Sequence, residues 1–497
     1  MARRRATSPH VRRHAVKAAT TPKTDPTSLM RLVTVLTFLD TFVVGLVNPI
    51  YPTLVQNATL GATLYAGVKS SANGAALLAG TFFGRLSDVK GRRAAIVAST
   101  LVSFLGYLCY TLGYFCEGFY PTARVLIPAI GRVISVTGRS ALIAPLHALL
   151  ADHAGHDATS QVAKTMAVFG FGYAAGSGVG GILVSWSGGT PQINLAAIVM
   201  LSAVQVGCAL LLPQRVVTAT SHAPVSAATA VSAKEGWVSA LRNALGDKST
   251  RLFLLLQGLA SSSFHVYDST SDIYMSTTLG YSPSQRGFVL SYAGWVFAVQ
   301  TLLVVPWLVS LGKFSKFQLL RFAYLFTAAG RFGLAAASSA ALYTTPTILV
   351  SYAILNLGQG MGRTLIKGLV ASAAAEGRLG VTLGVLTSVD KLVGVIAPLV
   401  GGPAYVVAPH FPAILAGVVG LAACAAVNLV EAMFRRARKA DAEAKSVGHP
   451  KGRLAIHGTA QRQVDLSDHL SSTTTSSEHA SKKVTRRRPT KVHRDEM

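Results

Sequence analysis

Carboxylates are scarce in this chain. Its 497 residues contain 20 Asp and Glu against 46 Lys and Arg, and charged residues of both signs make up only 13%. A soluble domain of this length carries about twice that charged fraction on its surface. Cysteine is sparse too. Cys109, Cys116, Cys208 and Cys424 share no spacing, which leaves small apolar packing residues and excludes a disulfide framework or thiolate metal centre. No nucleophile–base–orienter set and no nucleotide-binding loop can be picked out, so neither an enzyme nor an ATP-driven pump is expected, and no cofactor is implied. Gly170-Phe171-Gly172 lies inside an apolar run with no strand before it. The polar group His147, Asp152, His153, His156 and Asp157 reads as a solvated loop rather than a metal site.

What the chain does have is long apolar runs. A helix needs roughly 20 mostly apolar residues to cross the hydrocarbon layer. Segments of that kind occur at Leu32–Tyr51, Tyr65–Phe83, Ala94–Tyr114, Ala123–Leu150, Thr165–Trp186 and Ile193–Leu212. A second set follows at Leu252–Met275, Gly287–Val309, Leu319–Ser339, Thr347–Ala371, Val381–Val400 and Phe411–Phe434. The expected fold is all-α and membrane-embedded, with twelve helices in two pseudo-symmetric six-helix bundles.

The formal charge of +26 is concentrated at particular places. Arg3, Arg4, Arg5, Arg12, Arg13 and Lys17 precede the first span, and a basic tail from Arg435 to Arg494 follows the last. Alternate loops hold most of the rest: Arg85 to Arg93, Arg215 to Arg251, and Lys313 to Arg321. The opposite loops contain chiefly Glu117, Arg124 and Arg286. This positive-inside asymmetry predicts cytosolic termini and a cytosolic central loop, in a plasma or internal membrane. Basic tails so placed suit anionic lipid, not nucleic acid. The Arg- and Ala-rich start also has the composition of a transit peptide. Asn57-Ala58-Thr59 matches a glycosylation acceptor. Composition shifts divide the chain into a basic tail (1–29), a first bundle (30–212), a linker (213–251), a second bundle (252–434) and a disordered basic tail (435–497). Within the linker, Trp237, Leu241 and Leu245 recur at helical spacing, predicting a short helix on the membrane surface.

An internal repeat supports two halves. Gly138-Arg139-Ser140 in span 4 precedes Gly180-Gly181 in span 5, and Gly362-Arg363-Thr364 in span 10 precedes Gly401-Gly402 in span 11. Parallel six-span repeats of this kind build one large class of transporters, with solute bound between the halves.

The loop Gly84-Arg85-Leu86-Ser87-Asp88-Val89-Lys90-Gly91-Arg92-Arg93 resembles the signature loop of the major facilitator superfamily, between spans 2 and 3 as in that family. The resemblance implies that Asp88 and Arg92 brace the cytoplasmic side against span 11 and gate a rocking motion. Gly84 and Gly91 are expected to permit the reversal, and Asp88 to pair with Arg92 or Arg93. Span 1, from Leu39-Asp40-Thr41 to Asn48-Pro49-Ile50-Tyr51-Pro52, is similar to that of tetracycline-resistance-type drug:proton antiporters. Gly362-Arg363 followed by Ala397-Pro398-Leu399-Val400-Gly401-Gly402 adds to this likeness. Three motifs depart from the pattern. Span 5 reads Gly176-Ser177-Gly178-Val179-Gly180-Gly181 without the antiporter proline. Span 4 keeps Arg132 but has Ser135 and Val136 where Gln and Gly are usual. The second copy of the signature loop, Gly312-Lys313-Phe314-Ser315-Lys316, has no acid.

Ionisable groups inside spans are functional candidates by default. Asp40 lies about nine residues into span 1, near mid-bilayer at roughly 1.5 Å per residue, where a carboxyl can exchange a proton. Arg132 and Arg139, on one face of span 4, can hold Asp40 or a substrate carboxylate; Arg139, nearer the cytosol, reads as a gate. Asn356, Gln359, Arg363 and Lys367 form a polar stripe on span 10 that fits a water-filled cavity, to which Asn48 is added from span 1. On span 7 the stripe runs Gln257, Ser261, His265, Asp268 and Asp272, with His265 and Asp268 as a proton relay and Asp272 solvated at the outer mouth. Asp390 and Lys391 of span 11 are expected to pair with the span 10 cations. Gly172, Gly176 and Gly180 form a ridge for close helix packing.

The sequence thus points to a monomeric secondary transporter of small organic solutes, coupled to protons. The competing readings are a carrier of organic anions and, from another class, a non-transporting receptor or scaffold.

Overall fold

In the computed structural model, residues 26–52, 61–115, 121–154, 158–213, 248–337, 345–373 and 379–446 are described. The surface helix expected around Trp237, the acceptor at Asn57 and the two basic tails up to 25 and beyond 446 lie outside them.

The described residues form twelve helical rods. The first six are α1 (Pro26–Val47), α2 (Gly61–Lys90), α3 (Arg92–Phe115), α4 (Pro121–Ala154), α5 (Ala158–Trp186) and α6 (Gln192–Leu210). The second six are α7 (Lys248–Ile273), α8 (Pro283–Val299, continuing to Ser310), α9 (Lys316–Ala336), α10 (Thr345–Ala373), α11 (Leu379–Val407) and α12 (Phe411–Ser446). Eight of the rods are long and apolar enough to cross a membrane by length and composition alone. The other four, α2, α7, α9 and α10, are diluted by glycine, hydroxyl and charged residues, which in a bilayer belong on protein-facing or water-facing sides. The fold is the expected pair of six-helix bundles.

Local chemistry sets several boundaries. Ser282 and Ser315 each accept from the backbone N–H three residues on, while Gln285 and Gln318 reach back to the cap, so α8 and α9 begin on capping boxes. Residues 300–304 of α8 widen into a π-helical turn immediately before Pro306. That proline has no N–H to continue the ladder and its ring crowds the preceding turn. α12 runs on to Ser446, past the expected end of the second bundle at 434. Its extension is rich in Ala, Arg and Lys, all good helix formers, which a hydropathy reading takes for tail.

One end of the molecule carries the start of α1 and the finish of α12; it is called here the near end, and the opposite one the far end. Within the first bundle α3 packs on α4 and α1 on α5, and within the second α9 packs on α10 and α12. The glycine ridge of α5 explains one of these contacts. A Cβ on Gly172 or Gly176 would overlap Thr41 or the Phe42 carbonyl of α1, and one on Gly180 would reach Leu46 at 3.0 Å.

The bundles meet along two seams, α5 on α8 and α2 on α11. The opposite face of α5 supplies the first. A Cβ on Gly181 would stand 3.1 Å from the Ser284 carbonyl oxygen, and one on Gly287 would stand 2.6 Å from that of Ser177. Ser284 Oγ also donates to the Gly181 carbonyl at 2.9 Å. In the second seam Ser70 Oγ donates to the Val395 carbonyl at 2.6 Å, and Gly402 lies against Ala66. All these contacts belong to the far halves of the four helices. Toward the near end, Gly80 and Gly84 of α2 and Gly384 of α11 have open space where a Cβ would stand. The bundles are joined at the far end and diverge toward the near end.

Candidate functional site

Three groups of charged and polar side chains bear on a solute path, and helix geometry explains each. In the first bundle, Asp40 of α1 faces α4. Arg139 Nε donates to Asp40 Oδ2 at 3.0 Å, and Gln205 of α6 donates to Oδ1 at 3.5 Å. The Arg139 guanidinium also lies 5.2 Å from the Phe169 ring centre. Of the two arginines expected to hold Asp40 or a substrate carboxylate, Arg139 is therefore the one paired with Asp40. Arg132, two turns away on α4, donates instead to Asn48 Oδ1 at 3.3 Å and stacks over Tyr51. Asn48 in turn donates to the Tyr173 hydroxyl at 3.0 Å.

The second group crosses from bundle to bundle. Lys69, in the far half of α2, sits 3.2 Å from both Asp268 Oδ2 and Asp272 Oδ2 of α7. It also donates to the Asp268 carbonyl, and the Tyr65 hydroxyl donates to Asp272. Asp272 is buried, not solvated at a mouth as its place near the end of span 7 predicts. Tyr65 and Lys69 are one turn apart on α2, so a single helical face meets the Asp268–Asp272 face of α7. The sequence reading missed Lys69. A lone lysine within an apolar span was the available signal.

The third group lies in the second bundle. Gln257 Nε2 donates to Ser261 Oγ at 2.9 Å, and Ser261 donates to Asp390 Oδ1 at 2.6 Å. His265 Nε2 is 3.7 Å from the same oxygen, beyond hydrogen-bond reach. Asp390 thus turns to α7 and makes no ion pair with the span 10 cations among the described residues. His265 and Asp268, expected to relay a proton, turn to different partners, Asp390 and Lys69. Of the span 10 stripe, Asn356 donates to the Tyr352 carbonyl of its own helix at 2.8 Å. Gln359 and Arg363 line a cavity, and Lys367 is exposed toward the near end.

Two buried arginines depart from the expectation set by the sequence. Arg286, expected in an outer loop, is buried in α8, with Nε and Nη1 unpartnered. Arg331 of α9 is equally buried, its guanidinium 4.1 Å from the Tyr267 ring centre. Arg331 sits well inside its helix, where a hydropathy window averages a single charge away, whereas Arg286 lies in the first turn of α8 behind the polar run 282–285, which reads as loop.

At the near end, α2 and α3 are separated only by Gly91, whose φ of +92° is available to glycine at little cost. Gly84 takes no part in the reversal; it lies within α2. Arg92 Nη1 donates to Ser87 Oγ at 2.9 Å, and Arg93 Nη2 donates to the Leu210 carbonyl at 2.8 Å. The Asp88 side chain lies outside the described ones, so its expected pairing is not among these bonds. No group of three or more metal-ligating side chains occurs among the described residues.

Comparison with known proteins agrees with this architecture. The chain resembles the D-xylose-proton symporter, with a TM-score of 0.62 at 17% identity over 81% of this chain and 96% of that one. It is similar to the inward open conformation of the xylose transporter XylE from E. coli, with a TM-score of 0.62 at 14% identity over 81% and 95%. It is also similar to the human organic anion transporter MFSD10 (TETRAN), with a TM-score of 0.59 at 15% identity over 82% and 100%. No curated protein matches it by sequence. At such identities these likenesses speak for the fold alone, but residues 33–398 match the sequence model of one family. The chain belongs to the Major Facilitator Superfamily, and is a multi-pass membrane protein that works as a secondary transporter of small molecules.

Proposed function

We propose that the protein couples the movement of a small organic solute to that of protons by alternating access, in the manner the tetracycline-resistance-type resemblance implies. The observation that carries this reading is the buried Asp40–Arg139 pair, a carboxylate away from bulk water whose cation lies in the same bundle. Protonation of Asp40 frees Arg139 for a substrate group, and deprotonation recaptures it. The structural relative named as a proton symporter supports coupling as a use of this fold.

The seams supply the access change. With the termini in the cytosol, the far end is outside, and the conformation described is closed outward and open inward. Lys69 bridging Asp268 and Asp272 is then an outer latch, which a proton on either carboxylate weakens. On the inner side, Gly84, Asp88, Gly91, Arg92 and Arg93 form the gate that closes when the latch opens. Asn48, Asn356, Gln359 and Lys367 face the solute path, with Arg132, His265 and Arg363 near it.

Flux in proteoliposomes bearing a pH gradient tests the reading, with amphipathic cations and organic anions as substrates. Gradient-driven flux that Asp40→Asn abolishes supports coupling through Asp40. Flux that ignores the gradient in wild type and variant alike contradicts it.

A further inference from the structure

Inside the second bundle, between α7, α9, α10 and α12, lies a small cavity. Its wall includes Ser261, Phe264, Tyr324, Thr327, Gln359 and Arg363. The hydroxyls of Thr327 and Ser261 are already committed as donors, to the Ala323 carbonyl at 2.9 Å and to Asp390 at 2.6 Å. Two stronger donors are not. Arg363 is exposed, rests with its guanidinium carbon 4.2 Å from the Phe264 ring centre and forms no ion pair with a carboxylate among the described residues. Tyr324 is buried and its hydroxyl has no partner. Its ring closes over Gly362, where a Cβ would approach to 3.3 Å. Gln359 adds an amide to the same wall.

Stacking on Phe264 fixes the plane of the guanidinium while leaving its N–H edge free, the geometry that receives a planar oxyanion by two parallel bonds. A buried phenol without an acceptor is costly, and a second oxygen in the same cavity relieves it. An ammonium group would set cation against cation at Arg363. The cavity is too small for a whole drug-like molecule but takes an end group. We infer that it binds a carboxylate, either the acid head of an amphipathic solute or a small free organic acid. This deepens the transport reading and rests on it for what becomes of the bound acid. It narrows the expected substrates from small organic solutes in general to organic anions.

The test is equilibrium binding to the purified full chain in detergent at a single pH. Naphthoate, its uncharged amide and acetate are the probes, read by thermal stability and by affinity. Naphthoate is expected to raise the melting temperature and the amide to leave it unchanged. Arg363→Gln should weaken naphthoate by about tenfold or more, Tyr324→Phe by about threefold, and Arg363→Lys should retain part of the affinity. Acetate binding as tightly as naphthoate identifies a free small acid as the ligand; naphthoate binding much the tighter identifies a solute head group. Equal binding of acid and amide, binding of neither, or an affinity indifferent to both Arg363→Gln and Tyr324→Phe overturns the inference. No gradient is applied, so the outcome is independent of whether Asp40 carries the coupled proton.

Discussion

Asp40 and Asp272 are both buried carboxylates facing a cation, yet their partners are placed differently. Arg139 and Gln205 hold Asp40 from within its own bundle, whereas Lys69 reaches Asp268 and Asp272 from the other one. The glycines divide the same way. Gly172 and Gly176 let α5 touch α1 inside one bundle, while Gly181 and Gly287 let α5 touch α8 across the seam. Contacts inside a bundle can persist through a rigid-body rocking; contacts across the far seam must break in it. Stability therefore rests on the first set and conformational equilibrium on the second.

Substitutions that separate the two sets test this division, and the largest effects are expected inside a bundle. Gly176→Val drives a branched side chain into the Phe42 carbonyl, costing on the order of 3 kcal/mol, and size-exclusion chromatography should show little monodisperse protein. Arg139→Leu strips Asp40 of its cation and should destabilise by about 3 to 5 kcal/mol, seen as a lowered melting temperature. Asp40→Asn keeps an oxygen that accepts from Arg139 but loses the charge, so the melting temperature should fall by less than in Arg139→Leu while gradient-driven flux is lost. Across the seam, Lys69→Ala should leave the melting temperature within a few degrees of wild type while exposing α2 and α7 at the far end to cysteine reagents. Smallest is Gly181→Ala, whose methyl meets Ser284 and Gly287 at 3.1–3.2 Å. It should open the far end by a few-fold in labelling rate at unchanged yield. An equal loss of folded protein from Gly176→Val and Gly181→Ala would erase the distinction.

Much of the fold was legible because apolar length, loop charge and the Gly-Arg repeat each report on a single helix or loop. The site was legible only in part. Asp40 stood out as an acid in an apolar run, but its partner depends on helix rotation and tilt, so Arg132 and Arg139 could not be ranked from a seven-residue spacing. Asp272 looked solvated because distance along α7 says nothing of Tyr65 and Lys69 arriving from α2. Lys69 and Arg331 are each a lone charge within an apolar span, while Arg286 follows the polar run 282–285 and so reads as loop. The π turn before Pro306 and the extension of α12 arise from backbone accommodation and helix propensity, which hydropathy does not register.

The most direct test of the division is the distance between spin labels at the far ends of α5 and α8, measured in wild type, Lys69→Ala and Asp40→Asn. A short distance is predicted for wild type and for Asp40→Asn, with a longer population appearing in Lys69→Ala. A distribution that Lys69→Ala leaves unchanged, or one that Asp40→Asn lengthens, would contradict the assignment of the Lys69 pairs to the seam and of the Asp40 pair to the bundle.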